Sequence, residues 1–430
     1  MKLFLSLEAG LRRNLAILFV AGLCFWAGLA GLLPNLPLYI ETFGANGQQI
    51  GLVMACFAVG LLAFRPVMAR LTDRRGRKPV LMIGISAIAL APIGYLAVQY
   101  LPTTTLDLPN GPVNSAVLLL MLVRAFHGLS IAAFATAYSA LIADLAPPGH
   151  RGELIGYMSL ANPVGMALGP ALGGYFQGNF VLAFLSMTAI GGVGLLCVLL
   201  SREPDREPSP ATEQNLPNKS KKAFWSLIFT PPIRIPALIL LLVGLAFGSL
   251  VTFVPLYARE AGLAVNIGLV YTMSAIASFA IRLLAGRASD RYGRGRFISL
   301  GLLFYSLSML TLWLADSVPM VLLAGALQGA GGGTLIPIIG ALMADRSRPN
   351  ERGLTFGLCL TGFDVGIALA GPLAGQIADL SSYRTAFGLA GLMTLLGLII
   401  FITASSKDLA HSVRFALGGG RDVYAISLDR

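Results

Sequence analysis

Charge is what this sequence has little of. Only 12% of its 430 residues are Asp, Glu, Lys or Arg, while 56% are hydrophobic and the mean hydropathy is +0.77. Soluble domains carry about twice that share of charge, so a soluble globular enzyme is excluded and a polytopic membrane protein is indicated. The four cysteines, Cys24, Cys56, Cys197 and Cys359, all fall in apolar stretches. They have neither loop-disulfide nor metal-ligand spacing, and read as small packing residues. No G-x-x-x-x-G-K-[ST] loop occurs, which excludes an ATP-driven pump, and no polar segment is large enough for a nucleotide domain. No small-x-small cleavage site precedes Arg12-Arg13. The first residues therefore read as an interfacial helix feeding the first span, not as a cleaved leader.

What is abundant is long apolar runs, Gly (50) and Pro (24). A helical span uses about 20 apolar residues. The runs predict twelve spans: 15–39, 49–69, 79–101, 115–141, 153–177, 181–200, 235–258, 266–286, 297–315, 320–343, 354–378 and 386–405. The net charge of +11 is not a nucleic-acid signal once its placement is seen. Of 31 Lys and Arg residues, 26 fall on the side of both termini and two, Arg259 and Arg384, on the other; Arg65, Arg124 and Arg282 lie within spans. Basic loops stay cytoplasmic, so both termini are expected in the cytoplasm, in a multi-pass protein of the inner (plasma) membrane.

The chain also repeats itself. Pro37-Leu38-Tyr39 recurs as Pro255-Leu256-Tyr257 and Gly51-Leu52-Val53 as Gly268-Leu269-Val270. Arg65 recurs as Arg282, and Asp73-Arg74-x-Gly76-Arg77 as Asp290-Arg291-x-Gly293-Arg294. Asp144 recurs as Asp345 and Arg151-Gly152 as Arg352-Gly353. One insertion, in the external loop around Thr103–Asn114, reconciles the register offsets of 217 and 201, with the Pro-Leu-Tyr match one residue further out at 218. The expected organisation is an N-terminal six-helix half (1–200), a polar Pro-rich cytoplasmic linker (201–234), a C-terminal six-helix half (235–405) and a cytoplasmic tail (406–430). Repeated halves of this kind are a transporter signature, with the substrate site near the midplane. The tail carries no assignable motif.

Three segments carry chemistry. The loop after span two reads Ala69-Arg70-Leu71-Thr72-Asp73-Arg74-Arg75-Gly76-Arg77-Lys78. Span four carries Arg124-Ala-Phe-His127-Gly128. Span five reads Gly165-Met-Ala-Leu-Gly169-Pro170-Ala-Leu-Gly173-Gly174. Together these resemble the major facilitator superfamily: its loop motif G-x-L-x-D-R-x-G-R-K, with Ala69 at the first position where the second copy keeps Gly286; its R-x-x-x-G motif; and its antiporter-associated G-x-x-x-G-P-x-x-G-G. The resemblance covers essentially the whole chain apart from the termini and linker. It implies the all-α fold of twelve transmembrane helices in two six-helix repeats, and the drug or metabolite:proton antiporter branch. It also implies that Asp73 and Asp290 act in cytoplasmic gating loops, near the starts of spans eleven and five.

Within the spans, buried polar residues are the candidates for the cavity. Arg124 lies about 14 Å into span four, near the centre of a ~30 Å core. A charge at that depth costs about 2.5–3.5 kcal/mol on the mildest scale, so it should meet a partner or a cavity. His127, three residues on, shares its face. Proton relay and binding of an anionic substrate group both remain open for this pair. Gln328 holds the corresponding place in span ten, and Asn162 is a further cavity candidate. Asp364 is the one carboxylate placed at depth, on a stripe of Gly357, Thr361, Ala368, Gly371 and Gly375. A group that takes and releases a proton there is what proton coupling needs. Arg65 and Arg282, near the basic ends of their spans, read as structural braces.

The expected function is therefore secondary active transport of a small molecule by alternating access, as proton-coupled efflux. Proton-coupled uptake or facilitated diffusion is one alternative; a transporter-like sensor without flux is another. No enzyme activity, metal, nucleic-acid partner or cofactor is expected beyond the proton gradient as energy source, and the chain is expected to act as a monomer.

Overall fold

The computed structural model of the chain describes residues 7–108, 111–147, 150–204, 226–348, 351–420 and 422–426. The helices are α1 Ala9–Ala30, α2 Leu36–Glu41, α3 Gly47–Arg75, α4 Arg77–Val98, α5 Ser115–Leu145, α6 Arg151–Ser159, α7 Ala161–Tyr175 and α8 Phe180–Leu200. They continue with α9 Pro231–Glu260, α10 Ile267–Tyr292, α11 Arg294–Leu314, α12 Val318–Asp345, α13 Arg352–Leu380, α14 Tyr383–Ala404 and α15 Leu409–Ala416. Among the described residues, eleven helices are long and apolar enough to cross a membrane. Most of the expected linker, residues 205–225, lies outside the described residues.

The fifth expected span, 153–177, is two helices. α6 ends at Ser159, Leu160 forms a turn, and α7 begins at Ala161. Pro163 is the cause: it has no N–H for the Ser159 carbonyl four residues back, and its ring crowds that carbonyl. The expected span 15–39 is broken in the same way. α1 stops before Gly31, and Pro34 and Pro37 leave a turn before α2. The external loop also differs from an all-helical reading, forming a small antiparallel hairpin of β1 Thr105–Leu108 and β2 Gly111–Asn114.

Helix starts follow capping chemistry. Asn46 and Gln49 form a reciprocal capping box on α3, with Gln49 N–H donating to Asn46 Oδ1 at 2.9 Å. Asn114 and Asn179 cap α5 and α8. The turns joining α3 to α4 and α10 to α11 each pivot on a glycine with positive φ, Gly76 (98°) and Gly293 (90°). This explains the glycine in both copies of the loop motif, since L side chains avoid that conformation.

The chain divides into two compact units, Met1–Asp205 with Thr252–Ala275, and Arg206–Val251 with Ile276–Arg430. In the first unit, α1 packs on α7 and α8, α3 on α5, and α4 on α5 and α8. Its core gathers Leu15, Leu18, Phe25, Ile85, Phe134 and Leu141, with the Phe25 and Phe134 rings stacked 3.9 Å apart. In the second unit, α11 packs on α12 and α14, and α9 crosses α13 through Gly244, Gly248, Gly362 and Gly366. Small residues at such crossings let backbones approach, the usual route to tight packing in lipid. The neighbour relations inside the two units correspond: span one with five and seven with eleven, span three with four and nine with ten, span three with six and nine with twelve. The outward faces are apolar, with Leu122, Leu196, Leu283 and Leu396 each more than half exposed. An apolar surface of this extent is stable against lipid, not water.

Candidate functional site

The basic end of each unit holds the same ion network. Arg77, at the start of α4, bridges Asp73 (3.4 Å) and Asp144 (3.1 Å). Arg294, at the start of α11, bridges Asp290 (3.0 Å) and Asp345. The i,i+4 spacing and the later aspartate recur together, so the repeated residues of the sequence are repeated contacts in the structure. Asp73 and Asp290 remain largely exposed on their far sides, and Arg74 and Arg291 point outward. Arg282 lines a cavity of about 270 Å³ with Ser289, Asp290, Arg294, Gly333 and Pro337, at the basic ends of α10 and α12.

Two contacts at these ends had no sequence signal. Glu203, just past α8, accepts from the backbone N–H groups of Arg77 (2.7 Å) and Lys78 (2.9 Å). A carboxylate is thereby placed on the N-terminus of α4, where the helix dipole favours it. In the second unit the Arg346 side chain is 1% exposed and grips Asp422 of the tail at 2.7 and 2.9 Å. Two further N–H groups donate to the carbonyls of Pro232 (2.7 Å) and Ser405 (3.4 Å).

The motif in α7 forms the seam with α1. A Cβ at Gly165 or Gly169 would run into α1 at Leu23–Ala27 and at Ala27, and one at Gly173 into the backbone of Gly31 just past its end. Gly174 faces Asn266 and Gly268 instead. Thr272 Oγ1 donates to the Ala167 carbonyl at the middle of α7 (2.9 Å), and Ile267 N–H to Gln177 Oε1 just past its end (3.2 Å). Pro170, inside the helix, leaves the Met166 carbonyl without its usual i+4 donor. The five motif residues therefore have three jobs: close approach along the first span (Gly165, Gly169, Gly173), close approach to Asn266 and Gly268 (Gly174), and a weakened point in the helix itself (Pro170).

At mid-span in the first unit, the structure brings Arg124 and His127 together and adds two residues that spacing did not reveal. Arg124 Nη1 lies 3.2 Å from His127 Nδ1, and the Tyr95 hydroxyl lies 3.1 Å from the same nitrogen. The Phe57 ring covers the guanidinium, 4.6 Å from its carbon, and stands edge-on to the His127 ring. Arg124 is 5% exposed and His127 fully buried. Tyr95 and Phe57 come from α4 and α3, so no pattern within span four could have found them. Asn162 is half-buried on α7 and is not joined to this pair.

In the second unit Gln328 donates to the Tyr305 hydroxyl at 3.1 Å. A tyrosine of the neighbouring span again meets the polar residue at this place, but from a different height. Tyr305 sits seven positions before the equivalent of Tyr95, two helical turns away on the same face. Asp364 lies about 18 Å along α13 from Arg352 and is half-buried. Gly362 and Gly366 hold α13 against α9. Asp364, two residues from each, is turned roughly 200° from both, so it lies on the face away from α9 together with Thr361 and Ala368.

Residues 18–271 and 264–418 match the sequence model of the Major Facilitator Superfamily. The multi-drug resistance efflux pump PmrA homolog of Lactococcus lactis subsp. lactis is 27% identical over 410 residues, 90% of this chain and 94% of that protein. The quinolone resistance protein NorA of Staphylococcus aureus is 25% identical over 258 residues; that match spans 60% of each chain, less than two thirds of the relative. Among solved structures, the nucleoside transporter NupG superposes with a TM-score of 0.67 at 15% identity, over 91% of this chain and 98% of the other. That likeness is one of fold.

Proposed function

Because the chain belongs to the Major Facilitator Superfamily, the family its motifs resemble, we propose that it is a secondary active transporter exporting a small molecule against proton entry. It is a multi-span membrane transporter, not an enzyme. The observation that carries the export reading is α7, whose complete antiporter-type motif packs backbone to backbone on α1 and is weakened at Pro170. A helix with a fixed seam and one missing hydrogen bond supplies a bend point for alternating access. The efflux pumps among the similar proteins support the same direction.

Proton coupling is assigned to Asp364. A carboxylate at mid-span is costly when charged and inexpensive when protonated, so its protonation state follows the side to which it opens. The basic-end networks around Asp73–Arg77 and Asp290–Arg294 are the gating elements, with both termini in the cytoplasm of the plasma membrane and the monomer as the working unit. The test is Asp364→Asn in proteoliposomes. Loss of proton-driven transport with retained substrate exchange is the expected result; undiminished coupled flux would remove Asp364 from the mechanism.

A further inference from the structure

The cluster around Arg124 has an excess of donors. Arginine has no acceptor, so His127 Nδ1, 3.2 Å from Arg124 Nη1, must be the accepting nitrogen. The Tyr95 hydroxyl at 3.1 Å then donates to the same atom. The imidazole proton is left on Nε2, giving a neutral ring whose N–H points away from the cluster. Neither His127 Nε2 nor Arg124 Nε, both fully buried, has a hydrogen-bond partner among the described residues. No described carboxylate pairs with Arg124 in the first unit, whose contacts come from α3 (Phe57), α4 (Tyr95) and α5 (His127).

A buried guanidinium with no carboxylate paired to it among the described residues of its own unit is an expensive arrangement. Phe57 offsets part of that cost through its ring face. Its backbone is held in place: the close approach of Gly60 to Ala125, and of Gly128 to Phe57 and Leu61, locks α3 against α5 at this level. Phe57 itself is only half-buried.

We propose that Arg124, oriented by His127 Nδ1, binds an anionic group, a carboxylate, of the transported molecule, and that Phe57 covers this site when the anion is absent. The inference rests on the transporter reading. It assigns a substrate class, acids over their neutral analogues, and makes His127 a fixed acceptor that orients the guanidinium instead of a proton relay.

The test uses the purified full chain in detergent, with 2-naphthoate and 2-naphthamide as a matched pair differing in charge at the same shape. Binding is read as ligand-induced thermal stabilisation and as a titration of intrinsic fluorescence. Naphthoate is expected to bind at least ~10-fold more tightly than the amide, as a hydrogen-bonded charge pair implies. Arg124→Gln is expected to abolish that preference, and Phe57→Leu to tighten naphthoate about 3-fold or more by removing the competing ring. Equal binding of acid and amide to the wild type would overturn the proposal without any variant, so it stays testable even where Arg124→Gln does not fold. So would a preference that survives Arg124→Gln, a Phe57→Leu change that weakens the acid, or an acid that does not bind. No gradient is present in this assay. A finding of symport in proteoliposomes would therefore overturn the export reading and leave this assignment intact, and the reverse holds for a failed discrimination.

Discussion

Replacing Asp422 should unlock the second unit at its basic end. The Arg346 side chain is 1% exposed and Asp422 10%, and two of the guanidinium's bonds go to that one carboxylate. Phe415 and Tyr424 flank the guanidinium with ring centroids at 5.8 and 5.0 Å. Breaking a buried pair by removing one partner costs about 3–5 kcal/mol, because the other charge stays buried. The Pro232 and Ser405 carbonyls still accept after Asp422→Ala, so the lower end, about 3 kcal/mol, is the expectation. For a unit of this size, 1 kcal/mol moves an unfolding midpoint by about 2–4 °C. Asp422→Ala should therefore lower the midpoint of the purified protein by about 6–12 °C in a thermal ramp. The double variant Arg346→Met/Asp422→Leu should recover most of the loss, since an apolar pair of similar volume replaces a buried ion pair at little net cost. A midpoint within ~1 °C of wild type for Asp422→Ala would refute the reasoning. A double variant as unstable as the two single changes added together would refute it equally.

Other outcomes follow from the same geometry. Gly169→Val should cut transport by about tenfold or more, or abolish folding, because the obstacle is the Ala27 backbone; Gly192→Ala, with open space around it, should leave transport unchanged. Transport assays with folded-protein yield check both. Asp408 caps α15, accepting from His411 N–H at 2.8 Å, and that bond holds its carboxyl below the usual 3.8. A carboxylate with a depressed folded value stabilises fully above the ordinary value and loses the effect as pH falls through the depressed one. Amide exchange in residues 409–416 should thus be flat at neutral pH and rise, relative to intrinsic rates, only below about pH 4; an onset near pH 6 would contradict this. Glu203→Gln should weaken the α4 start by roughly 0.3–1 kcal/mol, read as a small fall in unfolding midpoint; no fall would mean that the carboxylate charge contributes nothing there.

Much of this architecture was legible in the residues. The apolar runs placed the spans, and the paired Asp73–Arg77 and Asp290–Arg294 segments announced units whose internal contacts match. Gly76 and Gly293 were readable as motif residues, and their positive φ supplies the reason. The breaks at Leu160 and at Gly31–Asn35 were not anticipated, although Pro163, Pro34 and Pro37 were the signal. Hydropathy averages over a window and is blind to a missing N–H. Tyr95 and Phe57 could not have been found from one sequence, since which residue of α4 or α3 meets Arg124 depends on helix rotation. The tail was illegible for a different reason. Arg346 and Asp422 are 76 residues apart, and a single ion pair at that separation has no periodicity to reveal it.

The account stands or falls on the exchange of protons for substrate through Asp364. The decisive measurement is the internal pH of proteoliposomes carrying the chain, followed with an entrapped dye while an outward substrate gradient is imposed. The account predicts acidification of the lumen as substrate leaves, and its disappearance in Asp364→Asn while substrate-for-substrate exchange continues. Alkalinisation of the lumen as substrate leaves, or acidification unchanged in Asp364→Asn, would contradict it.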